Sequence, residues 1–451
     1  MIWPRIAVCS VLVLALTASV AGEPRPPVTL SLRQAVKQVL AENPRVRLAA
    51  ASRDASVARR TQARSAWLPQ IRLSETWTRG DNPVYVFGSL LEQGRFGVEH
   101  FDPAFLNDPP SLENFRLTLQ VAYPLFDQLR RWSLVEQAEI GVEQADLQTG
   151  ELRQMLRYRT IEAYDGVRIA EAALGVARQA VRAAEADVES IRDRVEVGLL
   201  VQSELLAAEV QLSEMHQQEI AAEGNLSIAR ASLHTLLNLP SGQPLILAGG
   251  GIDRGFAKAP VDEWLEAAAS RRPDLRRSDL GIEAADLGVR IARGAWLPRV
   301  DTFGTIGSSG SKLDEHNGDR VWGISLSLDL LQPGRRGRLA EAHAAKLQAE
   351  AQREILADDA ELEIIAAWER WRVSEQRLDV ARRSLDQASE AVRIISDRYQ
   401  EGLTTITELL RGRTALVRAE MNLLGARSDY NLGYANLLRA TGRLDDVDAF
   451  E

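Results

Sequence analysis

The chain has one cysteine among its 451 residues, Cys9, so neither a disulfide framework nor a thiolate metal site can be built from it. It also has no surplus of positive charge. With a formal net charge of −9 it offers no basic face to phosphate, which excludes nucleic acid as a partner. Beyond the N-terminus there is no apolar run of the roughly 18 residues that a spanning helix needs, so any passage through a membrane must be a β-barrel. The usual catalytic signatures are missing too. The histidines His100, His216, His234, His316 and His343 are scattered without a His-Glu-x-x-His pair, and no serine sits in Gly-x-Ser-x-Gly. Gly249-Gly250-Gly251 is not followed by Lys-Ser or Lys-Thr, so it is no phosphate loop. No enzyme, cofactor or metal centre is expected.

What is present begins with a leader. Arg5 precedes an apolar stretch from Ile6 to Val20 that ends in small residues, the pattern of a signal peptide cut after Ala21. Cys9 lies inside it, so the exported chain is cysteine-free and one unit more negative. Stability must then come from packing and assembly.

The rest of the chain repeats itself once. Ala66-Trp67-Leu68-Pro69 recurs as Ala295-Trp296-Leu297-Pro298, 229 residues on, and Asn43-Pro44 is answered by Arg272-Pro273 at the same offset. Arg194 to Leu199 recurs as Arg398 to Leu403, 204 residues on, followed by Glu204-Leu205-Leu206 and Glu408-Leu409-Leu410. The fall in offset places an insertion in the first copy. The segment Asp81 to Glu113, rich in Pro, Phe, Asn and Gly, reads as that insertion and as a long loop. Its aromatics Tyr85, Phe87, Phe96, Phe101 and Phe105 are either an interfacial girdle or loop packing. The copies occupy residues 22–248 and 260–442, with a linker at 249–259 and a tail at 443–451.

Each copy carries the same elements in order. Helical spacing from Ser31 to Trp67 is broken at Pro44, Pro69 ends it, and strands are expected at about 70–79 and 114–124. In the second of these, Phe115, Leu117, Leu119, Val121 and Tyr123 alternate with polar or small residues. The second copy predicts strands at 299–308 and 321–331, where Trp322, Ile324, Leu326, Leu328 and Leu330 alternate. Helical hairpins are expected at 127–238 and 338–440. Leu174, Ala177, Val181, Ala184, Val188, Ile191 and Val195 form a seam spaced 3 and 4 residues apart, and Leu378 to Tyr399 repeats it. No proline interrupts the stretch between Leu125 and Leu239 or that from Gly334 to the end, and the chain is expected to turn back at Gly198 and Gly402.

Four lipid-facing strands cannot close a barrel, because membrane barrels have at least about eight and an open edge in lipid is not tolerated. Identical chains must share one: two with eight strands or three with twelve. The seams alone would equally suit a secreted periplasmic coiled-coil protein without a pore, but such a filament has no use for strand pairs at equivalent places.

This duplicated order of broken helix, Ala-Trp-Leu-Pro, strand, loop, strand, long helix, Gly-Leu turn and returning helix resembles the TolC family of outer-membrane efflux proteins, from about Leu32 to Gly442. The resemblance implies a mainly α protein with a transmembrane β-barrel: a homotrimer whose twelve-stranded barrel in outer-membrane lipid continues into a twelve-helix periplasmic tube. It further implies a passive duct of an efflux pump or type I secretion system, with a periplasmic adaptor and an inner-membrane transporter as partners. Carried over by position, Tyr399, Glu408, Ser203 and Glu204 fall at the periplasmic constriction, and Gly198, Leu199, Gly402 and Leu403 at the tips that meet the adaptor. Thr404 stands where the family pattern has an arginine of the closing network, and Arg411 where it has a second acid. Glu204 and Glu408 read equally as solvated carboxylates of a helix start, and Leu199 and Leu403 as caps of their own helices. An acidic lumen would favour cations.

Overall fold

The computed structural model describes residues 26–240, 242–248, 254–314, 317–445 and 450. The expected leader, the Gly-rich start of the linker and most of the tail lie outside the described residues. Each copy opens on a pair of helices hinged at a proline. In the first, α1 (Leu32–Glu42) starts in a capping box of Ser31 and Gln34, and α2 (Pro44–Ser65) starts where Asn43 caps it with Pro44 in its first turn. Pro44 therefore ends one helix and begins the next, because its missing N–H costs nothing at a helix start. The second copy repeats this with α7 (Val261–Arg271) and α8 (Pro273–Gly294).

Four long strands form one antiparallel sheet in the order β2 (Gln70–Gly80), β3 (Leu112–Phe126), β5 (Arg299–Gly310), β6 (Asn317–Ser327), so the two copies join at β3 and β5. The register puts Ile71, Leu73 and Trp77 on the same face as Phe115, Leu117, Leu119, Val121, Ile306, Trp322, Ile324 and Leu326. The other face carries Arg72, Ser74, Thr76, Asn114, Arg116, Thr118, Gln120, Ser309 and Asp319. One face is largely apolar and exposed, though it also carries Glu75 and Arg320, and the other is largely polar, with Phe303 and Val321 among the exceptions. Strand β6 departs from expectation: it starts at Asn317 and stops at Ser327, so Leu328 and Leu330 are outside it. Its partner sets the far end, since β5 begins at Arg299, just after Pro298, opposite Ser327.

The insertion is a second departure, being helical rather than an irregular loop. It folds as α3 (Pro83–Glu92), a 3₁₀ turn at Val98–Phe101 and α4 (Pro103–Asn107). The Asn and Pro that suggested a loop are helix starts, with Asn82 and Asp102 capping and Pro83 and Pro103 following. Its aromatics pack on one another: Phe96 lies 4.9 Å from Phe87 and 5.1 Å from Phe101, ring centre to ring centre, and His100 5.0 Å from Phe105.

From the sheet, α5 (Arg130–Glu196) and α9 (Arg335–Gln400) run 67 and 66 residues, about 100 Å each at 1.5 Å per residue. Both start against the repeated tryptophan: Arg131 stacks 4.4 Å from Trp67, and Arg335 4.8 Å from Trp296. Each guanidinium is buried where strand becomes helix, so the Ala-Trp-Leu-Pro motif anchors that corner. The returning helices α6 (Gln202–Leu236) and α10 (Ile406–Ala440) are half as long. The layer is therefore four helices wide at every level: α2, α5, α8, α9 near the sheet, and α6, α5, α10, α9 at the far end. The predicted seams are its packing surfaces, with Leu174, Ala177, Val181, Ala184, Val188 and Ile191 buried.

Between the two tiers lies the main core. There β1 (Val28–Leu30) pairs in parallel with β4 (Leu245–Leu247), and the Tyr164 hydroxyl donates to the Leu30 and Ala248 carbonyls at its edge. Phe256 stacks on Tyr434 at 4.0 Å, and Arg254 grips Asp165 through two bonds of 2.6 and 3.1 Å, with both side chains under a tenth exposed. Removing one partner of such a pair strands the other charge. Asp165→Ala is expected to cost about 3–5 kcal/mol, seen as a lower thermal midpoint by circular dichroism, whereas Arg178→Ala at an exposed pair should shift it far less.

Candidate functional site: hairpin tips and open flanks

Both long helices end in the same way. Gly198 has φ +77° and Gly402 φ +75°, a conformation that a side chain disfavours. Gly198 N–H donates to the Val195 carbonyl at 3.0 Å and Leu199 N–H to the Arg194 carbonyl at 2.8 Å. Gly402 donates to Tyr399 at 3.1 Å and Leu403 to Arg398 at 2.8 Å. The tight reversal leaves Val197, Leu199, Val201 and Leu403 more than 60% exposed at the two tips. Leu199 and Leu403 therefore do not cover their own helix ends.

Behind the tips, Tyr399 is buried among Val188, Ile191, Leu205, Ala208, Ile406 and Leu409, which come from both hairpins. Arg194 of the first hairpin lies 5.2 Å from its ring centre. Burial pushes the Tyr399 hydroxyl above its usual pKa, Arg194 counters this, and the carboxylate of Glu204 adds to it. The Tyr399 hydroxyl and one Glu204 carboxylate oxygen are both buried without a hydrogen-bond partner. Tyr399 and Glu204 thus share one apolar nook with Arg194. Ser203 and Glu408 are not part of it. Ser203 is exposed, and Glu408, half exposed, meets Arg411 at 3.3 Å on its own helix. Thr405 caps that helix by accepting from Glu408 N–H.

A second link between the hairpins was not anticipated. Arg413 of α10 contacts both oxygens of Asp187 on α5 at 3.2 and 3.3 Å, and Gln211 of α6 donates to Thr414 at 3.1 Å. Asp187 and Arg413 are 226 residues apart, and no spacing rule pairs them. What could have been read is the seam: Asp187 adjoins Val188 on the apolar stripe, where a charge needs a partner.

The flanks of the layer are unfinished. Helix α2 has no buried residue, and Leu48 on it, with Leu206, Val210, Ile220 and Ile228 on α6, lies exposed along one side. Leu347, Ile355, Leu362 and Val380 of α9 lie exposed along the other. In the sheet, β2 and β6 are edge strands with no outer partner among the described residues. No group of residues suited to a metal occurs among the described residues, and no helix is long and apolar enough to cross a membrane.

Comparison with known proteins places this architecture. The family model described as outer membrane efflux protein matches residues 35–239 and 264–443, once for each copy. The outer membrane protein TolC of Escherichia coli is 23% identical over 437 residues, covering 93% of this chain and 83% of that one. The alkaline protease secretion protein AprF of Pseudomonas aeruginosa is 24% identical over 352 residues, 74% of this chain and 71% of that one. In structure, the Campylobacter jejuni CmeC outer membrane channel superposes with a TM-score of 0.80 at 17% identity, over 91% of this chain and 85% of that one. The fold is that of these channels, the outer membrane is the chain's location, and the chain belongs to the outer membrane efflux protein family.

Proposed function

We propose that three copies of this chain close into one continuous passive duct across the outer membrane and the periplasm, through which an efflux pump or type I secretion system discharges. The observation that carries the reading is the four-stranded sheet with an apolar outer face and two unpaired edges. Unpaired edges in hydrocarbon leave backbone groups unsatisfied at a cost of several kcal/mol each, so β2 of one copy must meet β6 of the next. Physical size favours three over two. An eight-stranded barrel is about filled by its own side chains, whereas twelve strands at ~4.8 Å spacing and ~40° tilt enclose a barrel about 24 Å across. The same closure sets α2 and α6 of one copy against α9 of the next, covering the exposed leucines and isoleucines and giving a twelve-helix tube. A pore-free coiled-coil protein needs none of this.

The inner mouth of the tube is the constriction. Tyr399, buried among residues of both hairpins, holds the second hairpin against the first, while the Glu204 carboxylate beside it and Ser203 and Glu408 in water lie around the opening. Leu199 and Leu403 on the Gly198 and Gly402 turns are apolar knobs for the helical hairpin of a periplasmic adaptor, and an inner-membrane transporter supplies the energy. The duct itself performs no chemistry and has no cofactor.

Reconstitution in planar bilayers tests the reading. The purified protein should give discrete channels, and solubility in plain buffer with no conductance would defeat the proposal. Tyr399→Ala should raise single-channel conductance by roughly twofold or more by freeing the hairpins; conductance equal to that of the parent would remove Tyr399 from the constriction. In a salt gradient the reversal potential should show cation preference, diminished in the Glu204→Gln, Glu408→Gln double variant, and anion preference would contradict an acidic mouth.

A further inference from the structure

The helical insertion of the first copy lies on the polar face of the sheet, the face that closure turns into the lumen. At the C-terminal end of α3, the Glu92 carboxylate pairs with Arg116 of β3 at 2.7 Å, and Arg116 reaches on to Asp319 of β6 at 3.0 Å and to the Ser309 hydroxyl of β5 at 3.1 Å. Gln93 donates to Asn114 at 3.0 Å and to the Glu113 carbonyl at 2.7 Å, and Asn317 donates to the Glu92 carbonyl at 2.7 Å. Asn114, Arg116, Ser309 and Asp319 all project from the polar face, and Asn114 and Ser309 are buried beneath the insertion. The contacts lie at the end of the strands remote from the long helices, which is the outer mouth. The insertion is thus fastened to strands of both copies of the duplication, by its own side chains.

We infer that this insertion is an inward-folded cap that sets the size of solute able to pass the outer mouth, with the Glu92–Arg116–Asp319 bridge as its fastening. The inference rests on the three-chain duct proposed above. Symmetry puts three caps at the same height. A helix with side chains is about 10–12 Å across, and three such cylinders side by side need a circle of roughly 22–26 Å, as wide as a barrel about 24 Å across between backbones. The apolar residues that the cap leaves uncovered, Val84, Val98 and Phe101, are exposed in the single chain and have the other two caps as their neighbours on the axis. The second copy has only six residues between β5 and β6, against 31 between β2 and β3, so the restriction belongs to the insertion alone.

The test places a cysteine below the cap. Gln120→Cys, in a Cys9→Ala background, sets a thiol on the polar face of β3, opposite Thr305. Intact cells are exposed to a small impermeant maleimide and to the same group on a short polyethylene glycol, and trimers are followed as heat-modifiable bands in the same samples. With the cap present, the polymer reagent should label about tenfold more slowly than the small one. Replacing residues 82–110 by a short turn should abolish the difference, and Glu92→Ala, which keeps the insertion but unfastens it, should reduce it. Equal polymer labelling with and without the insertion, in trimers that persist, would overturn the cap while leaving the duct intact. Loss of trimers in the parent protein would overturn both.

Discussion

Backbone amide and carbonyl groups cannot be left unpaired in hydrocarbon, and the rest of this molecule is arranged around that requirement. A chain that contributes only β2, β3, β5 and β6 has two strand edges to hand on. In the three-chain duct proposed above, those edges meet copies of one another, and everything below the sheet inherits the same rotational symmetry. The helices leave the strands through corners pinned by Arg131 on Trp67 and Arg335 on Trp296, so the direction of each long helix is tied to the sheet. In that proposal the flanks of the helical layer face copies of one another too, which would account for leucine and isoleucine on α2, α6 and α9 that the described residues leave uncovered.

Length and thinness follow from the helices. A layer one helix thick has water on both sides, and its stability comes from lateral seams of small and aliphatic residues such as Ala177, Val181 and Ala184. Exposed ion pairs between neighbouring helices, Arg230 with Glu171 or Arg353 with Asp279, align the seams at little gain in stability. The buried Arg254–Asp165 pair and the aromatic stack around Tyr434 concentrate order at the middle, where the short helices of the two tiers meet. Toward the tips the layer is joined across the two hairpins by the nook of Tyr399, by Val417 against Ala180, Val181 and Ala184, by the Asp187–Arg413 pair and by the Gln211–Thr414 bond.

Most of the frame was legible because it is written in short-range periodicity. Alternation marks β3, spacing of 3 and 4 marks the seams, and Gly-Leu marks the reversals whose positive φ only glycine accepts readily. The features that were not legible depend on partners distant in sequence. The end of β6 is decided by where β5 begins, and Leu328 and Leu330 continue the alternation with nothing to pair against. The helices of the insertion were hidden because Asn-Pro and Asp-Pro serve loops and helix starts alike. At the tips, the motif match brought Tyr399 and Glu204 to notice, but burial separates them from Ser203 and Glu408. Arg413 could be found only by seeing which helix lies beside Asp187.

The central claim is that this chain is one third of a closed wall. Native mass measurement of the detergent-extracted protein addresses it directly. A single species of three chains, persisting on dilution, is the predicted result. A monodisperse monomer in detergent, with its sheet intact by infrared spectroscopy, would contradict the account.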